Sequence, residues 1–147
     1  LHELEEIDRQ QRALRAAVAK DARYRPEAYL FVCDAVQFTV GRLPERRHVS
    51  GRELCEGLVD LAVERFGYLA PLVLGHWGVR QTDDVGEIVF NLIEVSLLSK
   101  TDEDTKDDFR AVFDLRERLR QGYAIADEDL GLHGGEGEQP PLAGSCQ

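Results

Sequence analysis

Apolar residues recur at helical spacing from the start of the chain. Leu4, Ile7, Leu14 and Val18, with Gln11 in the same series and charges between them, predict an amphipathic helix over Leu1 to Lys20. Pro26 then stands where a first helical turn tolerates proline. Tyr29, Val32, Val36, Phe38 and Val40 carry a second helix to Leu43, before Pro44 stops it. That helix is apolar over much of its circumference and is expected to be the most buried. Ser50-Gly51-Arg52-Glu53 has the spacing of a capping box, in which the serine hydroxyl and the glutamate side chain each satisfy the other's amide. It opens a third helix with Leu54, Leu58, Leu61, Ala62 and Phe66 inward and Gly67 as its left-handed end. Pro71 in its first turn and Gly78 just past its end bound a short helix over Leu69 to Trp77. Thr82, with Asp83 and Asp84 behind it, predicts a hydroxyl-capped start for a fifth helix. Val85, Ile88, Val89, Leu92 and Ile93 form its inward face, up to about Leu98.

The next segment changes period. Leu97-Leu98-Ser99-Lys100, a polar tip over Thr101 to Thr105, and the alternation of Phe109, Ala111 and Phe113 predict a β-hairpin. Asp114, three residues before Glu117, starts a last helix carrying Leu115, Leu119 and Tyr123. A short strand at His48 to Ser50 followed by this hairpin is the layout of a winged helix. The expected class is therefore mainly α with a small β-hairpin, a winged-helix-like domain with extra helices. The alternative is an irregular all-α bundle in which Leu97 to Phe113 is loop. The expected domain is 1–126, with an N-terminal helix over 1–20, a core over 25–113 and a C-terminal helix over 114–126. Residues 127–147, rich in glycine and proline and poor in large apolar groups, are expected to be a disordered tail.

Composition narrows the function classes. A hydrophobic fraction of 43% is that of a folding globular chain, while a net charge of −10 opposes the phosphate backbone that supplies most nucleic-acid affinity. Apolar stretches such as Leu69 to Leu74 are far shorter than the roughly 20 residues that cross a bilayer, so no membrane partner is expected. Glu3, Glu5 and Glu6 do not resemble the basic start of a secretory signal; since Leu1 is not a methionine, a start upstream of it is compatible with the chain. Cys33, Cys55 and Cys146 are scattered and suit reduced thiols and a cytoplasmic setting. Cys33, Cys55, His48 and His76 lack the close ligand pairs of a zinc site. Ser50 is accounted for as a cap, and Gly131, Gly134, Gly135 and Gly137 follow no strand that would make a phosphate loop. No catalytic residue, metal or cofactor is expected.

Several segments carry a resemblance: Arg23-Tyr24 with Tyr29-Leu30-Phe31-Val32, Arg47-His48-Val49-Ser50-Gly51-Arg52-Glu53-Leu54, Glu64-Arg65-Phe66-Gly67, His76-Trp77-Gly78-Val79-Arg80, and Gly86-Glu87-Ile88-Val89-Phe90-Asn91-Leu92 with Leu97-Leu98-Ser99-Lys100-Thr101. Together they resemble an uncharacterised bacterial family found mainly in the planctomycete and verrucomicrobial lineages, over roughly Ala13 to Arg120. The resemblance implies a bacterial cytoplasmic origin and transfers no functional residue.

Two sets of candidate binding residues remain. His76, Trp77 and Arg80, beside Asp83, Asp84 and Glu87, combine the aromatic and guanidinium groups that dominate protein interfaces. Asp102, Glu103 and Asp104, with Asp107 and Asp108, would present a negative hairpin tip to a basic protein surface. These favour a protein–protein interaction or regulatory module. The alternative is nucleic-acid binding, through a phosphate contact at Arg42, Arg46, Arg47, His48 and Arg52 around the capping-box helix start. Each set also has a structural account. Trp77 can fill the core while His76 bonds a carbonyl and Arg80 pairs with Asp83 or Asp84. The arginines can pair with Glu45, Glu53 or Glu56, and the acidic run can be a solvated turn.

Overall fold

The structure, a computed structural model, describes residues 2–99 and 105–129, and side chains in that range as far as residue 123. It runs α1 (His2–Lys20), α2 (Pro26–Gly41), α3 (Gly51–Phe66), a 3₁₀ turn (Gly67–Leu69), α4 (Ala70–His76), α5 (Thr82–Glu94), a second 3₁₀ turn (Lys106–Phe109) and α6 (Leu115–Asp129). The local signals placed these helices well. Pro26 and Pro71 lie in first turns, and the Ser50–Glu53 box closes in both directions, at 3.1 Å and 2.9 Å. The Glu117 amide donates to Asp114 Oδ1 at 3.1 Å.

The core forms where α2, α3 and α5 meet, from Tyr29, Val32, Leu58, Ala62, Ile88 and Leu92, and Leu74, Phe109, Leu115 and Leu119 seal it. Each such aliphatic side chain contributes about 1.5–3 kcal/mol by leaving water. α3 buries residues from Gly51 to Ala62, and so shares with α2 the deepest position that periodicity had reserved for α2 alone. Small side chains explain this. At Gly57 an added Cβ would lie 1.9 Å from Thr39 Oγ1, and the buried Thr39 hydroxyl turns back to donate to the Ala35 carbonyl at 2.7 Å.

Among the described residues there is no strand, and the winged-helix layout with its β-hairpin is overturned in favour of the all-α bundle. The cause lies in who takes the backbone donors of the supposed second strand. The Ala111 N–H donates to Asp83 Oδ1 at 3.0 Å and the Val112 N–H to Thr82 Oγ1 at 3.1 Å, so side chains at the start of α5 capture the amides a ladder would need. Ala111 has φ +47°, outside the extended region altogether. Phe109, whose alternation with Ala111 and Phe113 suggested a strand, ends a 3₁₀ turn and packs on Gly86. Upstream, Leu97 N–H donates to Leu92 O and Ser96 N–H to Ile93 O, a helix-ending motif with Ser96 at φ +68°. Residues 48–50 pair with no strand; their amides and carbonyls serve the α3 cap and Arg47. The tip at Asp102, Glu103 and Asp104, and residues 130–147 of the expected tail, lie outside the described residues.

Thr82 also departs from its expected role. It is buried and spent on Val112, while the helix start is closed by Asp84, whose Oδ2 accepts from the Arg80 and Gln81 amides at 2.9 Å and 3.1 Å.

Candidate functional site

The segment between α1 and α2 is held by polar side chains that sequence periodicity does not reveal. Arg23 grips Asp21 with two donors at 2.9 Å and 2.6 Å, and this pairing holds the Asp21 carboxyl down at about 2. The Tyr29 hydroxyl donates to the Asp21 carbonyl at 2.9 Å and accepts from Asn91 Nδ2 at 3.2 Å, so the buried amide of α5 is satisfied. The buried Tyr24 donates to Asp84 Oδ1 at 2.7 Å; burial and, next, this carboxylate push its phenol well above the ordinary range. Asp84 therefore serves Tyr24, Arg80 and Gln81 at once. Asp84→Ala is expected to cost about 2 kcal/mol, by stranding the Tyr24 hydroxyl and uncapping α5. Asp84→Asn, which keeps an acceptor oxygen, should cost less. Urea titrations of both variants check this, and equal losses would contradict it.

Trp77, His76 and Arg80 do not converge on a surface site. Trp77 is half-buried between Phe31 and Phe66, with ring centroids 5.7 Å and 5.6 Å away, and its carbonyl accepts the Arg25 amide at 3.1 Å. His76 and Arg80 are exposed, and the Arg80 guanidinium forms no ion pair among the described residues, not even with Asp83 or Asp84. The nearby carboxylates are occupied. Asp83 holds Ala111, Asp84 holds the α5 start, and Glu87 pairs with Lys106 at 3.1 Å and Arg23 at 3.6 Å.

The arginine patch is largely neutralised from within. Arg42 pairs with Asp60 at 2.8 Å and lies over the Phe38 ring, Arg47 meets Glu53 with two donors at 3.0 Å and 2.8 Å, and Arg52 pairs with Glu56 at 3.3 Å. Arg47 and, next, the Ser50 amide bring the Glu53 carboxyl down to about 2. Because Ser50 and Glu53 already occupy the amides they could offer, the α3 start has less capacity for a phosphate than its sequence suggested. Arg46 and His48 border an apolar cavity of about 420 Å³ whose floor includes Val40, Leu54, Ile93 and Phe109.

Burial pushes Cys33 up to about 11 and Cys55 to about 12, away from the thiolate form. Among the described residues no group of three His, Cys, Asp or Glu side chains could hold a metal ion, and no helix is long and apolar enough to cross a membrane.

What the sequence leaves open is where the outward face of α1 packs. Its second half packs on α2 and α5 through buried Ala17 and half-buried Leu14 and Val18, and Lys20 pairs with Glu94 at 2.9 Å. Its first half stands away from the body, with Leu4 68% and Ile7 50% exposed. Across from it, Leu30 of α2 is 53% exposed, and between the helices lies a cleft of about 590 Å³ whose walls mix apolar Ile7, Leu14, Leu30 and Leu97 with polar Gln10, Gln11, Asp34 and Gln37. The signal was present in the spacing of Leu4 and Ile7. Periodicity cannot say whether a stripe packs on its own domain.

The described residues thus form an all-α bundle with an open cleft of mixed apolar and polar walls between its first two helices. No protein-family model, curated protein or solved structure matches the chain.

Proposed function

We propose that this chain is a non-enzymatic interaction or regulatory module that docks an amphipathic helix of a protein partner in the α1–α2 cleft, within a bacterial cytoplasm that keeps Cys33 and Cys55 reduced. The observation that carries this is the exposure of Ile7 and Leu30 on the two sides of one cleft, with Leu4 exposed a turn before Ile7. Large apolar side chains gathered on a surface are costly in water and mark binding faces, and a cleft between two helices that mixes apolar residues with Gln10, Gln11, Asp34 and Gln37 suits the apolar face and polar edge of an amphipathic helix. Nucleic-acid binding receives less support, because Arg42, Arg47 and Arg52 already have carboxylate partners.

The test is capture from nuclease-treated extract with the tagged chain and its Ile7→Glu and Leu30→Glu variants. Both positions are half-exposed, so each change should cost about 1 kcal/mol and leave the chain folded. A protein retained by the original chain, another copy of it included, and lost by both variants is the expected result. Recovery that depends on nucleic acid, or that the two variants leave unchanged, would overturn the proposal.

A further inference from the structure

We propose that the cavity between α2, α3 and α5 binds a small amphiphilic carboxylate, with its apolar body inside and its carboxylate on Arg46. This site borders the α1–α2 cleft at Gln37 and Leu98 but is distinct from it, and it does not depend on helix docking there. The helical repeat builds its walls. Val36 and Val40 of α2, and Val89 and Ile93 of α5, are each four residues apart and so share one side of their helix. Leu54 near the start of α3 and Phe109 of the second 3₁₀ turn complete the floor. Valine at three of these positions, where leucine would reach further, leaves a space of about 420 Å³, within the roughly 300–1,000 Å³ of small-molecule sites. Water in such a space finds few polar partners, so an apolar group that displaces it gains.

The rim sets the sign of the ligand. Arg46, Arg47 and His48 line the cavity, and among the described residues no Asp or Glu does, although Asp and Glu outnumber Lys and Arg by 28 to 18 in the chain. Glu53 is spent on Arg47, at 3.0 Å and 2.8 Å, and on the Ser50 amide at 2.9 Å. Arg46, by contrast, forms no ion pair among the described residues, so its planar fork of donors is available at the edge of an apolar space. One guanidinium matches the two oxygens and the single charge of a carboxylate. A phosphate dianion would bring a second charge that Arg46 alone does not answer, and a cation would be repelled by it. An apolar concavity with a few polar groups at one edge is the form of a site for a small molecule that is itself apolar at one end and charged at the other.

Isothermal titration calorimetry of the full chain near neutral pH, with octanoate, octan-1-ol and octylammonium, tests this. Octanoate should bind with a Kd of about 100 µM, octan-1-ol about tenfold more weakly and octylammonium more weakly still. Arg46→Ala should weaken octanoate about tenfold and leave octan-1-ol unchanged, since only the charge contact is lost. Arg46 is exposed, so circular dichroism should find the fold of this variant unchanged. Val40→Phe, which fills the space, should weaken both ligands, and Ile7→Glu, on the neighbouring cleft, should change neither. If Val40→Phe does not fold, the comparison of octanoate with octan-1-ol on Arg46→Ala decides alone. Absence of octanoate binding, octan-1-ol or octylammonium binding as tightly as octanoate, an affinity indifferent to Arg46→Ala or to a folded Val40→Phe, or a loss of octanoate binding on Ile7→Glu would overturn the proposal.

Discussion

Gly78→Ala is expected to destabilise the fold by about 4 kcal/mol, enough to unfold a large share of a marginally stable domain of this size. Gly78 has φ +100°, a conformation that L side chains rarely adopt, and a Cβ built there would lie 2.3 Å from the Arg23 carbonyl oxygen. Neither term can be relieved by a rotamer change, since the obstacle is backbone. The residue is also the turning point of a complete helix-ending motif. The Gly78 amide donates to Gly75 O at 3.1 Å and the Val79 amide to Leu74 O at 2.8 Å, while the preceding carbonyl, that of Trp77, receives the Arg25 amide. One position thus joins the end of α4 to the start of α2. Denaturant titration should give a lower midpoint, and hydrogen exchange should quicken first around residues 21–25. A loss below about 1 kcal/mol would mean that the two segments are not tightly apposed.

Gly57→Ala should cost about 3 kcal/mol, for a different reason. Gly57 lies inside α3, where glycine is itself unfavourable relative to alanine, so an isolated helix would gain from the change. In the folded chain the new methyl would meet Thr39 Oγ1 at 1.9 Å, and that hydroxyl is tied to Ala35 O. The two helices would have to separate, with the surrounding core. A double-mutant cycle isolates the cause. A Thr39→Ala background removes two of the three atoms nearest to that position and leaves the residue-39 Cβ, 3.0 Å away, so Gly57→Ala should cost about 1 kcal/mol there, a coupling of about 2 kcal/mol. If Gly57→Ala costs the same in both backgrounds, contact with Thr39 is not what keeps α2 and α3 close.

The two glycines also differ in how far they could be read from the chain. Gly78 was legible: it follows an apolar run opened by Pro71, and the reason for glycine there is local backbone geometry. Gly57 was not, because its reason is a residue on another helix. The same division runs through the candidate site. The partners that neutralise Arg47 and Arg52 lie within a few residues, at Glu53 and Glu56, and could be anticipated; Arg42 is met by Asp60 from the facing helix. The Trp77 ring lies between Phe31 and Phe66, so its half-burial depends on packing across elements.

What the chain by itself determined is its succession of helices. Proline in first turns, the Ser50–Glu53 box, Asp114 before Glu117 and Gly78 past α4 act through hydrogen bonds and sterics within a turn or two, whatever the rest of the molecule does. The tertiary structure decided the residues from 105 to 113. Their alternation of Phe109, Ala111 and Phe113 is equally compatible with a strand edge and with an irregular strap. The strap forms because Thr82 and Asp83, nearly thirty residues away, accept the Val112 and Ala111 amides, and Gly86 leaves room for Phe109. It likewise decided that the first half of α1 stands clear of the body. An amphipathic stripe specifies a face that will be buried, and only the packing of α2 and α5 against Leu14 and Val18 leaves Leu4 and Ile7 of that face in solvent.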